Sequence, residues 1–249
     1  KSVLLSLMKQ NDVRHVPLVD DKKSVVGLVT LRELIADDTL PIQAVVMAGG
    51  SGTRLRPLTE NLPKPMVPVD GKPILERIIE QLRDAGIAKV MITTHYKGEL
   101  ISNHFGDGKR FGVNIGYMEE DKPMGTAGGL SQLEPSDDPI LVINGDILTR
   151  VDFRAMLDFH IEHKAEMSVA VRRQETQVPY GVIETQDERI TQVLEKPIVS
   201  HFINAGIYLL NPAVFKLIPE NDSYDMPELI NSLINDGRTV ISFPVREYW

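Results

Sequence analysis

The sequence predicts an α/β protein built on a mostly parallel sheet, preceded by a small α+β fragment. Three observations carry that prediction. From Gln43 onward, apolar strand-like runs alternate with helix-period segments, the order expected when each strand is followed by a crossover helix. The first of these strands, Gln43–Met47, runs directly into a glycine-rich turn. Residues 1–40 break the pattern with a helix, two short strands and a second short helix, too small a unit to bury a good core alone. The domains expected are therefore 1–40 and 43–249, joined by a linker at Leu40-Pro41.

The elements follow in chain order. Val3, Leu4, Leu7 and Met8 share one face of a helix over Ser2–Lys9. His15–Val19 and Val25–Val29 read as two short strands, and the polar run Asp20-Asp21-Lys22-Lys23 turns the chain between them. Thr30 is placed to cap a second helix, Leu31–Ile35. In the larger segment, Pro73–Ala85 predicts a helix with Pro73 in its first turn. Ile74, Leu75, Ile78, Ile79 and Leu82 form its apolar stripe, and Gly86 ends it. Lys89–Thr93 and Ile140–Ile143 predict buried strands, and Phe153–Lys164 another helix. Glu166–Val171 and, more loosely, Ala205–Leu209 alternate as strands do. The chain starts at Lys1 without an initiator methionine and stops at Trp249 inside an extended run, so a longer natural chain is expected at both ends.

Composition narrows the function. The 249 residues are 42% hydrophobic and 25% charged, the balance of a globular protein with a sizeable core, which excludes disorder and collagen-like repeats. With no cysteine there is no disulfide framework, thiol nucleophile or cysteine-ligated metal. A net charge of −8 argues against a protein that coats nucleic acid. No apolar run approaches the roughly 20 residues of a membrane span, and the first residues are not a signal peptide. A cytoplasmic enzyme with no nucleic-acid or membrane partner is expected.

The chemistry concentrates in a few short segments. Ala48-Gly49-Gly50-Ser51-Gly52-Thr53-Arg54 follows the first strand of the larger segment. Its glycines let the backbone approach a phosphate with no Cβ in the way, and its amides form an anion-binding concavity. Arg54 adds a fixed cation. No Gly-Lys-Ser/Thr closes the loop as in a P-loop, and Leu55 stands where a dinucleotide fingerprint needs its third glycine. Lys64, between Pro63 and Pro65, is held on a stiff extended segment, which suits a transferred phosphoryl group. Asn144-Gly145-Asp146 follows an apolar strand, where ligands of open α/β sheets bind, and Asp146 is placed to hold Mg²⁺.

Other segments carry weaker signals. Gly125-Thr126-Ala127-Gly128-Gly129 predicts the opening of a helix whose N-terminus faces an anion or a base. Just upstream, Glu119 and Glu120 offer acceptors only, which suits the N–H donors of guanine better than thymine or uracil; a solvated acidic turn is the alternative. Glu195-Lys196-Pro197 again sets a lysine before a proline, beside a glutamate able to accept from sugar hydroxyls, with a surface ion pair as the alternative. His160 and His163 have a metal-compatible spacing but no further ligands near them, so surface histidines are expected. Asn221-Asp222-Ser223 matches a glycosylation acceptor without a secretory signal to support it.

These residues resemble the sugar-1-phosphate nucleotidylyltransferases. The family's glycine-rich signature stands as Gly49 to Thr59 and its P-K-P motif as Pro63 to Pro65. Its G-D metal motif stands as Gly145-Asp146, E-K-P as Glu195 to Pro197 and N-A-G-[IL]-Y as Asn204 to Tyr208. The resemblance covers about residues 43–249 and leans toward the mannose-1-phosphate guanylyltransferase branch. It implies a Rossmann-like three-layer α/β/α sandwich with a mostly parallel mixed sheet. It also implies transfer of a nucleotidyl group from an NTP, GTP favoured, to a sugar 1-phosphate. The roles that follow give Ala48, Gly49, Gly50, Ser51, Gly52, Thr53, Glu120, Gly125 and Thr126 to the nucleotide, and Arg54, Lys64 and Asp146 to catalysis. Gly181, Glu195, Lys196 and Asn204 go to the sugar phosphate, and Asp146 to Mg²⁺. A second metal-binding aspartate of the family would fall two residues beyond Trp249, which resembles the tryptophan of its W-x-D-x-G segment.

Residues 1–38 resemble the later part of a CBS motif, in His15 to Asp20 and Gly27 to Thr30. Complete tandem pairs of that motif bind adenine nucleotides, often through an aspartate where this chain has Glu33; an incomplete unit invites a second copy and a homo-oligomer. Two other readings compete with catalysis: a non-catalytic regulator that binds nucleotide sugar, and a dinucleotide-binding oxidoreductase. Thymidylyl or uridylyl transfer is the alternative specificity.

Overall fold

A computed structural model describes residues 2–31, 34, 39–50, 52–134, 136–220 and 222–246. The chain divides into two compact units, Lys1–Lys122 and Pro123–Trp249, and the linker expected at residues 40–41 falls inside the first.

In the first unit, helix α1 (Ser2–Gln10) is followed by an antiparallel hairpin of β1 (His15–Val19) and β2 (Val25–Thr30). Asp20 shapes its turn, because its Oδ1 accepts from the amides of Lys22 at 2.9 Å and Ser24 at 2.8 Å. Of the helix expected over residues 31–35, only Leu31 and Leu34 are among the described residues, and both are helical. Strand β3 (Gln43–Met47) leads to a two-residue ladder, β4 (Pro68–Val69) with β5 (Lys72–Pro73), around Asp70-Gly71. Both turn residues have positive φ (49° and 79°), the geometry for which an Asp-Gly pair is favoured.

Helix α2 (Ile74–Asp84) begins one residue later than predicted, because Pro73 is taken up by its pairing with Pro68 and caps the helix instead of entering it. Leu75, Ile78, Ile79 and Leu82 are fully buried, each contributing roughly 1.5–3 kcal/mol over an exposed position. Gly86, at φ 85°, ends the helix. Strand β6 (Lys89–Thr94), helix α3 (Gly98–Phe105) and strand β7 (Asn114–Glu119) complete the unit. β3 and β7 both run parallel to β6, so their carboxyl ends lie together.

In the second unit, strand β8 (Ile140–Asn144) precedes helix α4 (Phe153–Glu162), which Asp152 caps by accepting from the Ala155 amide at 3.0 Å. Strands β9 (Met167–Gln177), β10 (Val182–Gln186), β11 (Arg189–Leu194) and β12 (Ile198–Leu210), helix α5 (Met226–Asn235) and strand β13 (Val240–Pro244) follow. β12 is antiparallel to both β8 and β9, while β13 is parallel to β9. Within the first unit the strands lie in the order β3-β6-β7, all parallel, and within the second in the order β13-β9-β12-β8, a mixed arrangement. β9 and β12 are longer than predicted because each is buried along one half only. Met167–Ala170 and Ala205–Leu210 lie in the core, whereas the other halves project as an arm that carries the β10–β11 hairpin.

His160 departs from expectation. It is 2% exposed, with Nδ1 2.8 Å from Ser168 Oγ and Nε2 3.2 Å from Asn211 Oδ1. Asn211 Nδ2 donates to the Ala165 carbonyl, so its oxygen faces the ring and Nε2 carries the proton. Burial pushes the imidazole pKa down, keeping this histidine neutral and structural. His163 is exposed, as predicted, and bonds the Phe159 carbonyl. Among the described residues no cluster of three histidine or carboxylate side chains could hold a metal, and no helix is long and apolar enough to cross a membrane.

Candidate active site

The predicted phosphate loop sits where β3 gives way to Ala48, whose amide donates to the Thr93 carbonyl (3.1 Å) and hydroxyl (3.2 Å). This fixes the exit of the loop beside β6. Further along, Gly52 adopts φ 62°, and its carbonyl accepts from the Thr59 hydroxyl at 2.7 Å. A Cβ on Gly52 would stand 3.0 Å from both Lys64 Cβ and Thr59 Cγ2. The glycine loop and the lysine segment, separate motifs in the sequence, are thus packed against each other. Lys64 itself opens a 3₁₀ turn, Lys64–Met66, flanked by buried Pro63, Pro65 and Met66. The proline-held lysine of the sequence reading is therefore a half-buried side chain on an anchored backbone. Tyr96 and Lys97 add a second anchor by donating to the Glu60 carbonyl at 3.0 and 2.6 Å. Arg54 lies on the exposed 3₁₀ turn Thr53–Leu55.

The two acidic residues at the end of β7 separate cleanly. Glu119 is exposed, whereas Glu120 is 6% exposed, so the solvated-turn reading does not describe it. Its amide donates to the Thr94 carbonyl at 2.8 Å, and its carbonyl accepts from His95 Nδ1 at 2.7 Å. Its carboxylate lies over Gly49, where a Cβ would come within 3.2 Å of Oε2. Gly49, Gly52, Thr59, Lys64, His95 and Glu120 therefore gather beyond the carboxyl ends of three parallel strands, the usual ligand position of such sheets. Gly50 has open space where a Cβ would project, and Ser51 lies outside the described residues. Thr59, His95, Tyr96 and Lys97 were not singled out from sequence. Thr59 closes the glycine-rich signature Gly49–Thr59, but the other three follow β6 in a stretch with no pattern of its own.

In the second unit, Asn144, Asp146, Ile147, Asn204, Gly206 and Tyr208 line a cavity of about 430 Å³. A register shift in β12 between Asn204 and Tyr208 builds it, bulging the strand beside the end of β8. Asn204 holds the bulge: its Oδ1 accepts from the Gly206 amide at 2.9 Å and its Nδ2 donates to the Tyr208 hydroxyl at 2.8 Å. Gly206 is required at φ 71°, since a Cβ would strike Ile147 Cδ1 at 2.6 Å and Asn144 Nδ2 at 2.7 Å. Burial pushes the Tyr208 phenol above its usual pKa, so it stays protonated. The donor set is one carboxylate and amide oxygens, with no sulfur or imidazole. That set and the open volume fit a hard cation that keeps water and substrate phosphate among its ligands, as Mg²⁺ does.

The other predicted sugar-phosphate residues lie apart from that cavity lining. Glu195 Oε2 would be 3.2 Å from a Cβ on Gly181, and Lys196, at φ 46°, donates its amide to the Tyr180 carbonyl at 3.3 Å. The two ends of the β10–β11 hairpin are thereby tied together, with Gly181, Glu195 and Lys196 at its base. The stretch from Gly125 does not open an α-helix: residues 128–132 form a short 3₁₀ turn. Its amides are already engaged, because Thr126 donates to Asp225 Oδ1 at 2.9 Å while Ala127 and Gly128 donate to the Tyr224 carbonyl at 2.9 and 3.0 Å. Elsewhere in the first unit, a cleft of about 690 Å³ is lined by Arg14, His15 and Thr30 of the hairpin segment together with Arg83, Ile87 and Gly112.

The chain is similar to known proteins in two parts. The nucleotidyl transferase family model matches residues 43–249, and the CBS domain model matches residues 2–37. A mannose-1-phosphate guanylyltransferase of Mycobacterium tuberculosis is 36% identical over 219 residues, covering 85% of this chain and 61% of its own. The D-glycero-alpha-D-manno-heptose 1-phosphate guanylyltransferase of Aneurinibacillus thermoaerophilus is 37% identical over 178 residues, covering 70% of this chain and 77% of its own. A Bacillus anthracis structure, provisionally assigned as a glucose-1-phosphate thymidylyltransferase and solved with sucrose, superposes with a TM-score of 0.66 at 26% identity, covering 84% of this chain and 88% of its own. The chain spans about three fifths of the length of the mycobacterial relative. With a glycine loop packed on a proline-flanked lysine, and a family match over all but the N-terminal segment, the chain belongs to the nucleotidyl transferase family.

Proposed function

We propose that the chain transfers a nucleotidyl group from GTP to a sugar 1-phosphate, a hexose or amino-sugar phosphate, releasing pyrophosphate. The observation that carries this reading is the packing of Gly52 against Lys64 and Thr59, which holds the stem of a lysine against the glycine loop at the end of a parallel strand. A phosphate oxygen of the sugar 1-phosphate attacks the α-phosphorus; the bond from that phosphorus to the oxygen bridging to the β-phosphate breaks, and pyrophosphate departs. Both reactants are anions, so the protein's task is to hold them in line and offset their charge. The backbone of Ala48 to Thr53, with Arg54, takes the triphosphate. Lys64 follows the charge from the α-phosphate to the departing pyrophosphate. Lys196 takes the sugar phosphate, while Gly181, Glu195 and Asn204 meet the sugar. Asp146 is the residue assigned to Mg²⁺, which when bound neutralises charge on phosphate oxygens.

Glu120 is assigned to the base. A buried carboxylate accepts from the paired N–H donors of guanine, while thymine or uracil would set a carbonyl against it. Gly125 and Thr126 are assigned to the nucleotide through the shape of their own loop, since the Thr126 amide and hydroxyl are already engaged. Residues 2–37 match the CBS domain model; adenine-nucleotide binding is assigned to a pair of such motifs, which a homo-oligomer would bring together. The reaction is a cytoplasmic one. The test is a panel of four nucleoside triphosphates against several sugar 1-phosphates, scored by pyrophosphate release with Mg²⁺. GTP is expected to lead. Preference for dTTP or UTP would overturn the role of Glu120 and leave nucleotidyl transfer intact; no release with any pair would overturn transfer itself.

A further inference from the structure

The glycine-rich stretch 125–128 is shaped by helix α5. Tyr224 donates its amide to the Met124 carbonyl at 3.0 Å, and its own carbonyl accepts from Ala127 and Gly128. Asp225 Oδ1 accepts from both the amide and the hydroxyl of Thr126, at 2.9 and 3.1 Å. The Thr126 hydroxyl in turn accepts from the Met226 amide at 2.8 Å. That amide belongs to the first residue of α5, so Thr126, 100 positions upstream, satisfies a helix-terminal donor that no carbonyl of α5 can reach.

The glycines fit the same purpose. A Cβ on Gly125, at φ 74°, would stand 2.7 Å from the Tyr224 carbonyl oxygen and 2.8 Å from Asp225 Oδ1. A Cβ on Gly128 would stand 2.6 Å from the Asp222 carbonyl oxygen. Small residues are needed here because residues 222–226 press on the stretch. The helix behind the contact is well seated, with Met226, Leu229 and Leu233 fully buried, and Glu228 accepts from the Asp225 amide at 2.7 Å. A carboxylate fixed on a buried helix holds a loop more sharply than one on a free segment.

We infer that Asp225 is a positioning residue for nucleotide binding: it latches the loop of Gly125 and Thr126 to the start of α5 and sets the loop's shape before nucleotide arrives. The inference rests on the assignment of that loop to the nucleotide. Its test is the steady-state behaviour of the full chain carrying Asp225→Ser, Asp225→Ala or Asp225→Asn. Serine still caps a helix but is too short to reach Thr126, so the fold is kept while the latch is cut. Asparagine keeps the acceptor oxygen.

Asp225→Ser and Asp225→Ala are expected to raise the KM for GTP about tenfold or more. The KM for sugar 1-phosphate should stay within about twofold, and Asp225→Asn should stay near the parent for both substrates. A purely structural role would lower the melting temperature without separating the two KM values. Equal shifts in both KM values, no shift in Asp225→Ser, or an Asp225→Asn variant as impaired as Asp225→Ala would each overturn the latch. An unmodified chain that releases no pyrophosphate would overturn the functional reading. In that event, binding of GTP alone to the parent and to Asp225→Ser still decides the latch: about tenfold weaker binding to the variant supports it, and equal binding or none overturns it.

Discussion

The two glycine-rich stretches, 48–54 and 125–129, look alike in sequence and are built for different neighbours. In the first, Gly52 admits the side chains of Thr59 and Lys64, and Gly49 leaves room for the Glu120 carboxylate, so the glycines bring charged groups to a strand end. In the second, Gly125 and Gly128 admit the backbone of residues 222–225, and the amides that a ligand could have used are bonded to Tyr224 and Asp225. Glycine content marks a close approach. It does not say what approaches.

That contrast can be broken in several ways. The largest effect is expected outside both stretches: Asp146→Asn should leave no measurable Mg²⁺-dependent pyrophosphate release, and retained turnover would remove Asp146 from the metal site. Next, Lys64→Ala should lower kcat well over tenfold, as for loss of a positioned charge; unchanged turnover would reduce the first stretch to an ordinary turn. Within that stretch, Gly52→Ala should cost about 1–2 kcal/mol in urea unfolding, since alanine is strained in the left-handed region, and should weaken GTP binding by crowding Lys64. Gly50→Ala, with open space around its Cβ, should change neither. Equal behaviour of the two variants would contradict the packing described for Gly52.

The smallest effect concerns a polar group used for the core alone. His160 is buried neutral, with its folded pKa below the unfolded value near 6.5. The unfolded chain therefore binds more protons as acid is added. The stability contributed is full above the unfolded pKa and is lost as pH falls through the window down to the folded pKa. Melting temperature should drop between about pH 7 and 5 more steeply in the parent than in His160→Gln; parallel curves would refute the assignment.

Much of the frame was legible because it depends on period and punctuation. β3 matches its predicted bounds, and the stripe of α2 lies where Ile78, Ile79 and Leu82 placed it. What sequence could not show depends on partners distant along the chain. Nothing local to His160 indicates that Ser168 and Asn211 will enclose it, and nothing at Thr126 points to Asp225. The lengths of β9 and β12 were underestimated because their outer halves, such as Arg173 to Gln177, are exposed on both faces and so lack an apolar alternation. In the candidate site, the motifs were visible but their grouping was not. Lys64 joins the glycine loop, whereas Lys196 and Glu195 lie with Gly181 at the hairpin base, apart from the cavity lining around Asp146 and Asn204.

The central claim is that a sugar phosphate oxygen attacks the α-phosphorus of a nucleotide cradled by the glycine loop and Lys64. It is tested most directly by supplying sugar 1-phosphate with ¹⁸O in its non-bridging phosphate oxygens, alongside unlabelled GTP, and weighing both products. The account predicts that all of the label stays in the nucleotide sugar and none enters pyrophosphate. Label in pyrophosphate, or an unlabelled nucleotide sugar with labelled phosphate set free, would contradict it.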